Sequence, residues 1–346
     1  MPGRQGPMTR TPNEQGPSPS KGSVTALSGD GGMRVLTIVN GYTGALCLRE
    51  LLAQEHEVVA VVTAPALPPA ERTGESVVGV ATEHMLPLYM LPYEAVAQPR
   101  PEFVELLRGL EPDLLASMHY PAIFKRAILE IPRLGGVNIH PSKLPEGRGM
   151  TPSWWYLYLG ADVAWTTLHH LDPGVDSGDV IAQASVSIAH EDTGRSVSRK
   201  LSEAAWRMLR DHLPAIAAGR APRRKQNLRE GSYIWASFDW GTIDWSRNAK
   251  GVRGHIRCLC ESSDPAHTSA GGVKVEVRDA EIAEAAEWPA AGATAQPGQV
   301  LGVLGRGIVV QTGHGQVILT DYTLAEDSKA LGVASLAAKA GPVIMG

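Results

Sequence analysis

The chain is 346 residues long, enough for two domains with a sizeable core, and at 43 % apolar and 20 % charged residues it has the composition of an ordinary globular protein. A formal net charge of −4 offers no bulk attraction for nucleic acid or an anionic membrane, and no stretch approaches the ~18 apolar residues of a membrane helix. Cys47, Cys258 and Cys260 do not make a disulfide framework, and Cys258-Leu259-Cys260 has neither the spacing nor the second half of a zinc site, so a reducing, cytoplasmic setting without a metal is expected.

Residues 1–32 are rich in Pro, Gly, Ser and Thr and poor in large apolar side chains. Such a stretch cannot bury enough surface to offset its ordering entropy, so a disordered N-terminal extension is expected. It lacks the apolar segment of a secretory signal. From Met33 the pattern alternates. Strands are expected over 35–39, 58–63, 88–90 and 114–118, and helices over 45–55, 77–83 and 102–110. Gly41 and Gly44 are spaced as Gly-x-x-Gly, which does not make a dinucleotide fingerprint; they read as a tight turn. Val137 to His140 and Trp165 to Leu171 are further strands, and Ser196 to Ala217 a long helix. Continuous apolar strands separated by amphipathic helices predict an α/β domain with a Rossmann-like parallel sheet over 33–222.

The texture changes after residue 222. Arg223-Arg224-Lys225-Gln226 is a basic connector, and a short helix is expected from Ala249 to Cys258. Short period-two runs follow at 273–277, 299–303, 307–311 and 316–319, with a Pro/Ala-rich loop near 280–298. They predict a small OB-like β-barrel domain over 223–346.

The chemistry is concentrated in Asn138-Ile139-His140-Pro141-Ser142-Lys143-Leu144-Pro145-Glu146-Gly147-Arg148-Gly149. It is joined, 36 residues after His140, by Asp176 within Asp172-Pro173-Gly174-Val175-Asp176-Ser177-Gly178-Asp179. Two positions apart on a strand, Asn138 and His140 point to one face and Ile139 to the other. An amide N–H can stabilise an oxyanion, an imidazole can move a proton at neutral pH, and a carboxylate can orient the imidazole. Together they fit one-carbon acyl transfer to an amine.

These two motifs, in this order, resemble the folate-dependent formyltransferase family, which includes methionyl-tRNA, phosphoribosylglycinamide and sugar N-formyltransferases. The resemblance runs from Met33 to about Leu324, and Ile243-Asp244-Trp245 ahead of a helix is similar to its longer members. It implies a formyl-transfer domain followed by an OB-like domain, with 10-formyltetrahydrofolate as donor. It also implies a catalytic set of Asn138, His140 and Asp176. The pterin pocket would be lined by Met118, His119 and Tyr120 on one side and Leu171, Asp172, Gly174 and Val175 on the other. Arg148 either holds a substrate anion or braces its loop. Trp154, within Trp154-Trp155-Tyr156, is a stacking platform for substrate or part of a core. His169 matches a histidine common in the family's strand, and a hydrogen-bonded core histidine is the favoured reading of it.

The chain departs from the tRNA enzymes in the loop at 64–75, which carries one arginine and two glutamates where those enzymes have a basic, glycine-rich loop. Gly147-Arg148-Gly149-Met150-Thr151-Pro152 replaces their Ala-Ala-Pro type, and Trp165 stands where Gly is common. The expected acceptor is therefore a small amine: an amino sugar, a hydroxyornithine or another natural-product amine. The basic clusters Arg207 with Arg210 and Arg223-Arg224-Lys225 are candidates to line one side of the cleft and hold a nucleotide-linked sugar's diphosphate as readily as a tRNA backbone. Methionyl-tRNA is the alternative acceptor. Transfer of another one-carbon unit such as formimidoyl, hydrolysis of formyl-folate, and a binding protein on the same scaffold remain behind it, and a homodimer is left open.

Overall fold

The computed structural model describes residues 32–65, 75–150, 152–234, 239–270, 272–283, 295–305 and 307–324. The expected extension at 1–32, apart from Gly32, lies outside the described residues, as do 66–74 of the acceptor-side loop and 284–294 of the Pro/Ala-rich loop.

In chain order the elements are β1 (Arg34–Val39), α1 (Gly41–Ala53), β2 (Glu57–Thr63), α2 (Val77–Glu83), β3 (Leu88–Met90), α3 (Tyr93–Ala97), α4 (Pro101–Gly109), β4 (Leu114–Met118), α5 (Arg126–Leu129), β5 (Gly136–His140), β6 (Arg148–Gly149), α6 (Trp155–Tyr158), β7 (Val163–His170), β8 (Val180–Ser187), α7 (Gly194–Ala217), β9 (Tyr233–Ile234), α8 (Ala249–Leu259), β10 (Ala266–Ala270), β11 (Val273–Ile282), β12 (Val300–Leu304), β13 (Gly307–Gln311) and β14 (Gln316–Leu324). Among the described residues no helix is long and apolar enough to cross a membrane.

Seven strands form the first sheet in the order β3-β2-β1-β4-β5-β7-β8. The pairings from β3 to β5 are parallel, whereas β5–β7 and β7–β8 are antiparallel. The expectation of a parallel sheet therefore holds up to β5 and fails beyond it. Only nine residues, 171–179, separate β7 from β8, too few for the crossover a parallel pair needs. The expected turn at Gly41–Gly44 is instead the first turn of α1. Gly41 takes the left-handed φ of 62°, and a Cβ on Gly44 would lie 3.0 Å from the Val39 Cβ.

The two faces of this sheet differ. Val35, Val39, Ala116, Met118, Val137, Ile139 and Leu168 pack with α1 and α7. Leu36, Ile38 and Leu115 face the other way, into a core shared with Val96, Leu107 and Ile128 from α3, α4 and α5. Helix α7 begins in a capping box, with the Thr193 side chain accepting from the Ser196 N–H and the Ser196 hydroxyl accepting from the Thr193 N–H. Arg207 and Arg210 are exposed on it, on the side of the sheet away from Asn138 and His140. Arg210 pairs with Asp211 at 3.0 Å, so the expectation that this pair lines the cleft is corrected.

The second sheet is antiparallel throughout, in the order β10-β11-β14-β13-β12. The expected second β domain is present as a five-stranded sheet, and among the described residues no pairing closes it from β12 to β10 into a barrel. Helix α8 packs Val252 and Ile256 onto it, beside Leu157, Val197 and Leu201 of the first domain. The connector is sewn to the first sheet: Arg224 and Val180 exchange both main-chain hydrogen bonds, and β9 pairs with β6 in parallel.

Candidate active site

Strand β5 ends in the middle of the first sheet, and its last residues carry the site. Ile139 is buried in the α1/α7 core, so Asn138 and His140 stand on the opposite face, as the two-residue period requires. The antiparallel register sets His169 opposite Asn138 and Thr167 opposite His140. Cross-strand neighbours in register share a face. The Asn138 Nδ2 lies 3.0 Å from His169 Nε2, and His169 is 1 % exposed. On the other flank Ser117 is in register with Asn138, and its buried hydroxyl has no hydrogen-bond partner.

The β7–β8 loop folds back over this face. Asp176 Oδ2 is 3.6 Å from His140 Nδ1, and its Oδ1 is 3.7 Å from His169 Nε2. The carboxylate accepts from the Gly149 N–H at 2.8 Å, which fixes it against the 141–149 loop. Asp176 itself takes the positive φ, 48°, a conformation Asp tolerates better than most residues. The flanking glycines serve close approach: a Cβ on Gly178 would lie 1.8 Å from the His170 carbonyl oxygen, and one on Gly174 2.0 Å from Ser177 Oγ.

His140 is 5 % exposed, and its Nε2 lies 2.8 Å from the Gly147 carbonyl. A carbonyl only accepts, so Nε2 carries the proton and Nδ1 faces Asp176. The loop that supplies this carbonyl is itself braced. Leu144 N–H donates to Thr167 Oγ1 at 3.2 Å, Gln183 Nε2 donates to the Leu144 carbonyl at 2.9 Å, and Ser142 Oγ donates to the Glu146 carbonyl at 2.7 Å. Gly149 has φ 94°, and a Cβ there would strike the Ile234 carbonyl at 2.6 Å.

The other expected site residues divide. His119 follows β4 at φ 54°, and burial, with the neighbouring His140 second, pushes its pKa down to about 4. Met118 is turned away: its side chain is in the α1/α7 core and its carbonyl accepts from Asn40 N–H at 3.0 Å. Tyr120 is a core residue, with its hydroxyl on the Leu91 carbonyl at 3.0 Å and its ring edge-on to Tyr93. Leu171 packs over Gly136, and Asp172 accepts from Gly174 N–H at 3.0 Å and Ser177 Oγ at 2.7 Å as a turn residue. Arg148 is engaged within its own loop and the connector, as a brace would be. It is 2 % exposed, donates to the Pro145 and Leu228 carbonyls at 3.2 and 3.1 Å, and lies over the Tyr233 ring. Trp154 meets Trp240 edge-on at 4.7 Å in the core between the two domains, which leaves the stacking-platform reading without support.

Two residues of the site stand beyond the expected set: Gln226 had no signal, and His169 was favoured as a core histidine. His169 becomes part of it only through the β5–β7 register. Gln226 donates from Nε2 to the Asp176 and Gly178 carbonyls at 2.8 and 2.7 Å, so the interdomain connector holds the Asp176 loop. Burial pushes the His169 pKa below the ordinary value, against the pull of Asp176. Among the described residues no group of three His, Cys, Asp or Glu side chains is placed to hold a metal ion.

The chain is similar to known proteins in sequence and fold. The profile described as Formyl transferase matches residues 33–213, and that described as Formyl transferase, C-terminal domain, matches 239–340. The chain is similar to a protein named methionyl-tRNA formyltransferase from Chloroflexus aggregans, at 32 % identity over 90 % of this chain and 99 % of that one. A protein of the same name from Geobacter sulfurreducens is 28 % identical over 85 % and 90 % of the two chains. Among solved structures, an N-formyltransferase from Helicobacter canadensis in complex with folinic acid and dTDP-3-aminofucose shares the fold, with TM-score 0.60, 15 % identity, and 83 % of this chain and 98 % of that one covered. A sugar 3N-formyl transferase, WlaRD, shares it with TM-score 0.60 at 16 % identity, over 85 % and 98 %. With the first profile spanning half the chain and the second most of the remainder, this protein belongs to the folate-dependent formyltransferase family and is an N-formyltransferase.

Proposed function

We propose that the chain transfers the formyl group of 10-formyltetrahydrofolate to the amine of a small molecule, an amino sugar or a natural-product amine, in the cytoplasm. The observation that carries the chemistry is the convergence of Asn138, His140 and Asp176 at the end of β5. Attack of an amine on a formyl carbon places negative charge on the formyl oxygen, where the Asn138 amide N–H stabilises it. The amine must lose a proton and the departing folate nitrogen must gain one. His140 carries that proton on Nδ1, the nitrogen that faces Asp176, and the carboxylate is the counter-charge. Main-chain groups of Leu171, Asp172, Gly174 and Val175, with His119 across from them, would form the pterin side, because the same loop delivers Asp176.

The small acceptor is supported by the state of the basic groups. Arg148 is buried, Arg223 sits 3.8 Å from Asp179, and the Arg224 guanidinium donates to Gln183 at 2.6 Å. Arg207 and Arg210 are on the far side of the sheet. Of the basic groups singled out, exposed Lys225 in the connector is left to meet a phosphate, one cation where a phosphate chain needs several. Methionyl-tRNA is the second reading, favoured by the names of the relatives at 28–32 % identity. The test offers charged initiator tRNA and a panel of small amines, each with formyl-folate, at about 50 and 200 mM salt. The account predicts amine formylation with a modest salt dependence. Efficient tRNA formylation that falls ~10³-fold between those salts would establish the second reading.

A further inference from the structure

Asn138 has two ways to present its side chain, amide nitrogen or amide oxygen toward the reacting centre, and only one helps an oxyanion. What decides between them is the ring beside it. His169 Nδ1 lies 2.9 Å from the His170 carbonyl, and its Nε2 lies 3.0 Å from Asn138 Nδ2. A neutral imidazole has one N–H. The carbonyl can only accept, so the N–H is on Nδ1, and Nε2 is left as a lone pair. The group facing Nε2 must then be a donor, which is the Asn138 NH2. One of its hydrogens is spent on His169, and the second is directed away from that bond. The other cross-strand neighbour offers no rival restraint, because the Ser117 hydroxyl has no partner.

We propose that His169 is a positioning residue for the oxyanion donor, holding the Asn138 amide nitrogen toward the reacting formyl oxygen by accepting one of its two N–H bonds at Nε2. The role rests on the reading of Asn138 as that donor. The chain of contact is His170 carbonyl to His169 Nδ1–H, then His169 Nε2 to Asn138 Nδ2–H. Each link fixes the next. With Nε2 removed, the amide is free to rotate its oxygen toward the developing charge, where it repels instead of stabilising. Binding of the substrates does not use this link, so the loss falls on kcat.

Two substitutions separate the halves of the ring. His169→Gln keeps an acceptor where Nε2 was and gives up the Nδ1 contact. His169→Asn keeps a donor where Nδ1 was and cannot reach Asn138. Steady-state kinetics with formyl-folate and a formylated amine are measured for both variants, in the wild-type chain and in Asn138→Ala, with melting temperatures alongside. The expected result is a fall in kcat of ~10- to 100-fold for His169→Asn with KM within about threefold, and within about fivefold of wild-type kcat for His169→Gln, in line with the cost of misplacing a reacting group. In Asn138→Ala, His169→Asn should change kcat by less than about threefold, since coupled residues are not additive. Equal losses for the two His169 variants, or a His169→Asn loss undiminished in Asn138→Ala, would overturn the proposal while leaving Asn138 as the donor. Near-wild-type kcat for Asn138→Ala by itself would remove the donor reading, and the proposal with it.

Discussion

Two buried histidine clusters in this protein show how little burial alone says about chemistry. At the end of β5, His140 has a carboxylate 3.6 Å from Nδ1 and a loop carbonyl on Nε2. Between the domains, His255 is 1 % exposed, donates from Nε2 to the Trp240 carbonyl at 2.7 Å, and meets the Tyr158 ring at 4.9 Å. Its Nδ1 has no partner, and burial above all pushes its pKa down to about 4. The nearby Arg247, over the same tyrosine ring, adds to that push. One ring is given a counter-charge. The other is held neutral among Trp154, Trp155, Tyr158 and Trp240. A usable imidazole needs an anion close to the ring: His140 has Asp176 at 3.6 Å, whereas the pull of Asp239 on His255 is outweighed by burial and Arg247.

The comparison breaks if the carboxylate is dispensable. Asp176→Ala should lower kcat by ~10²-fold or more, by loss of the group that orients and balances the general acid/base. Turnover within a few-fold of wild type would make His140 no different in kind from His255. The connector sharpens the contrast. Gln226→Ala removes two hydrogen bonds to the Asp176 loop and should lower kcat by about tenfold through misplacement of the carboxylate. Unchanged kcat would show that the loop holds itself.

The interdomain cluster should answer the opposite way. Trp154→Ala removes a half-buried ring packed on Trp240 and should cost about 2 kcal/mol of stability, less than a fully buried ring, with kcat of the folded protein unchanged. A kcat loss with no change in melting temperature would restore Trp154 to the substrate site. The smallest effect is in pH. His119, His170 and His255 are each pushed from 6.5 to about 4 in the folded chain. Between those values the unfolded chain binds more protons, so stability should fall as pH drops from 6.5 toward 4 and level off below. His255→Phe keeps the ring and should shallow the decline of melting temperature over that window. An unaltered slope would mean that His255 titrates normally in the fold.

How much of this was readable in advance follows from the range of the interactions. β1, β2 and β4 are mostly apolar runs, broken inside only by Thr37 and Ser117, and burial on both faces marks them as central strands. β8 is interrupted by Gln183, Ser185 and Ser187, and β10 is Ala-His-Thr-Ser-Ala, so neither announces itself. Asn138 and His140 were legible because their relation is local, two residues on one strand. His169 belongs to the site through a register set 31 residues away, and Gln226 through a contact 50 residues away, which no local pattern encodes. Arg148 was ambiguous for the same reason: its partner Leu228 comes from the connector.

The central claim is that the β5 cluster performs formyl transfer, and the most direct measurement is the turnover of 10-formyltetrahydrofolate with an accepted small amine by His140→Ala, with its melting temperature. The account predicts a fall in kcat of ~10²-fold or more in a variant that still folds, with a melting-temperature loss no larger than a buried ring and one hydrogen bond account for. Near-wild-type turnover by the folded variant would contradict it.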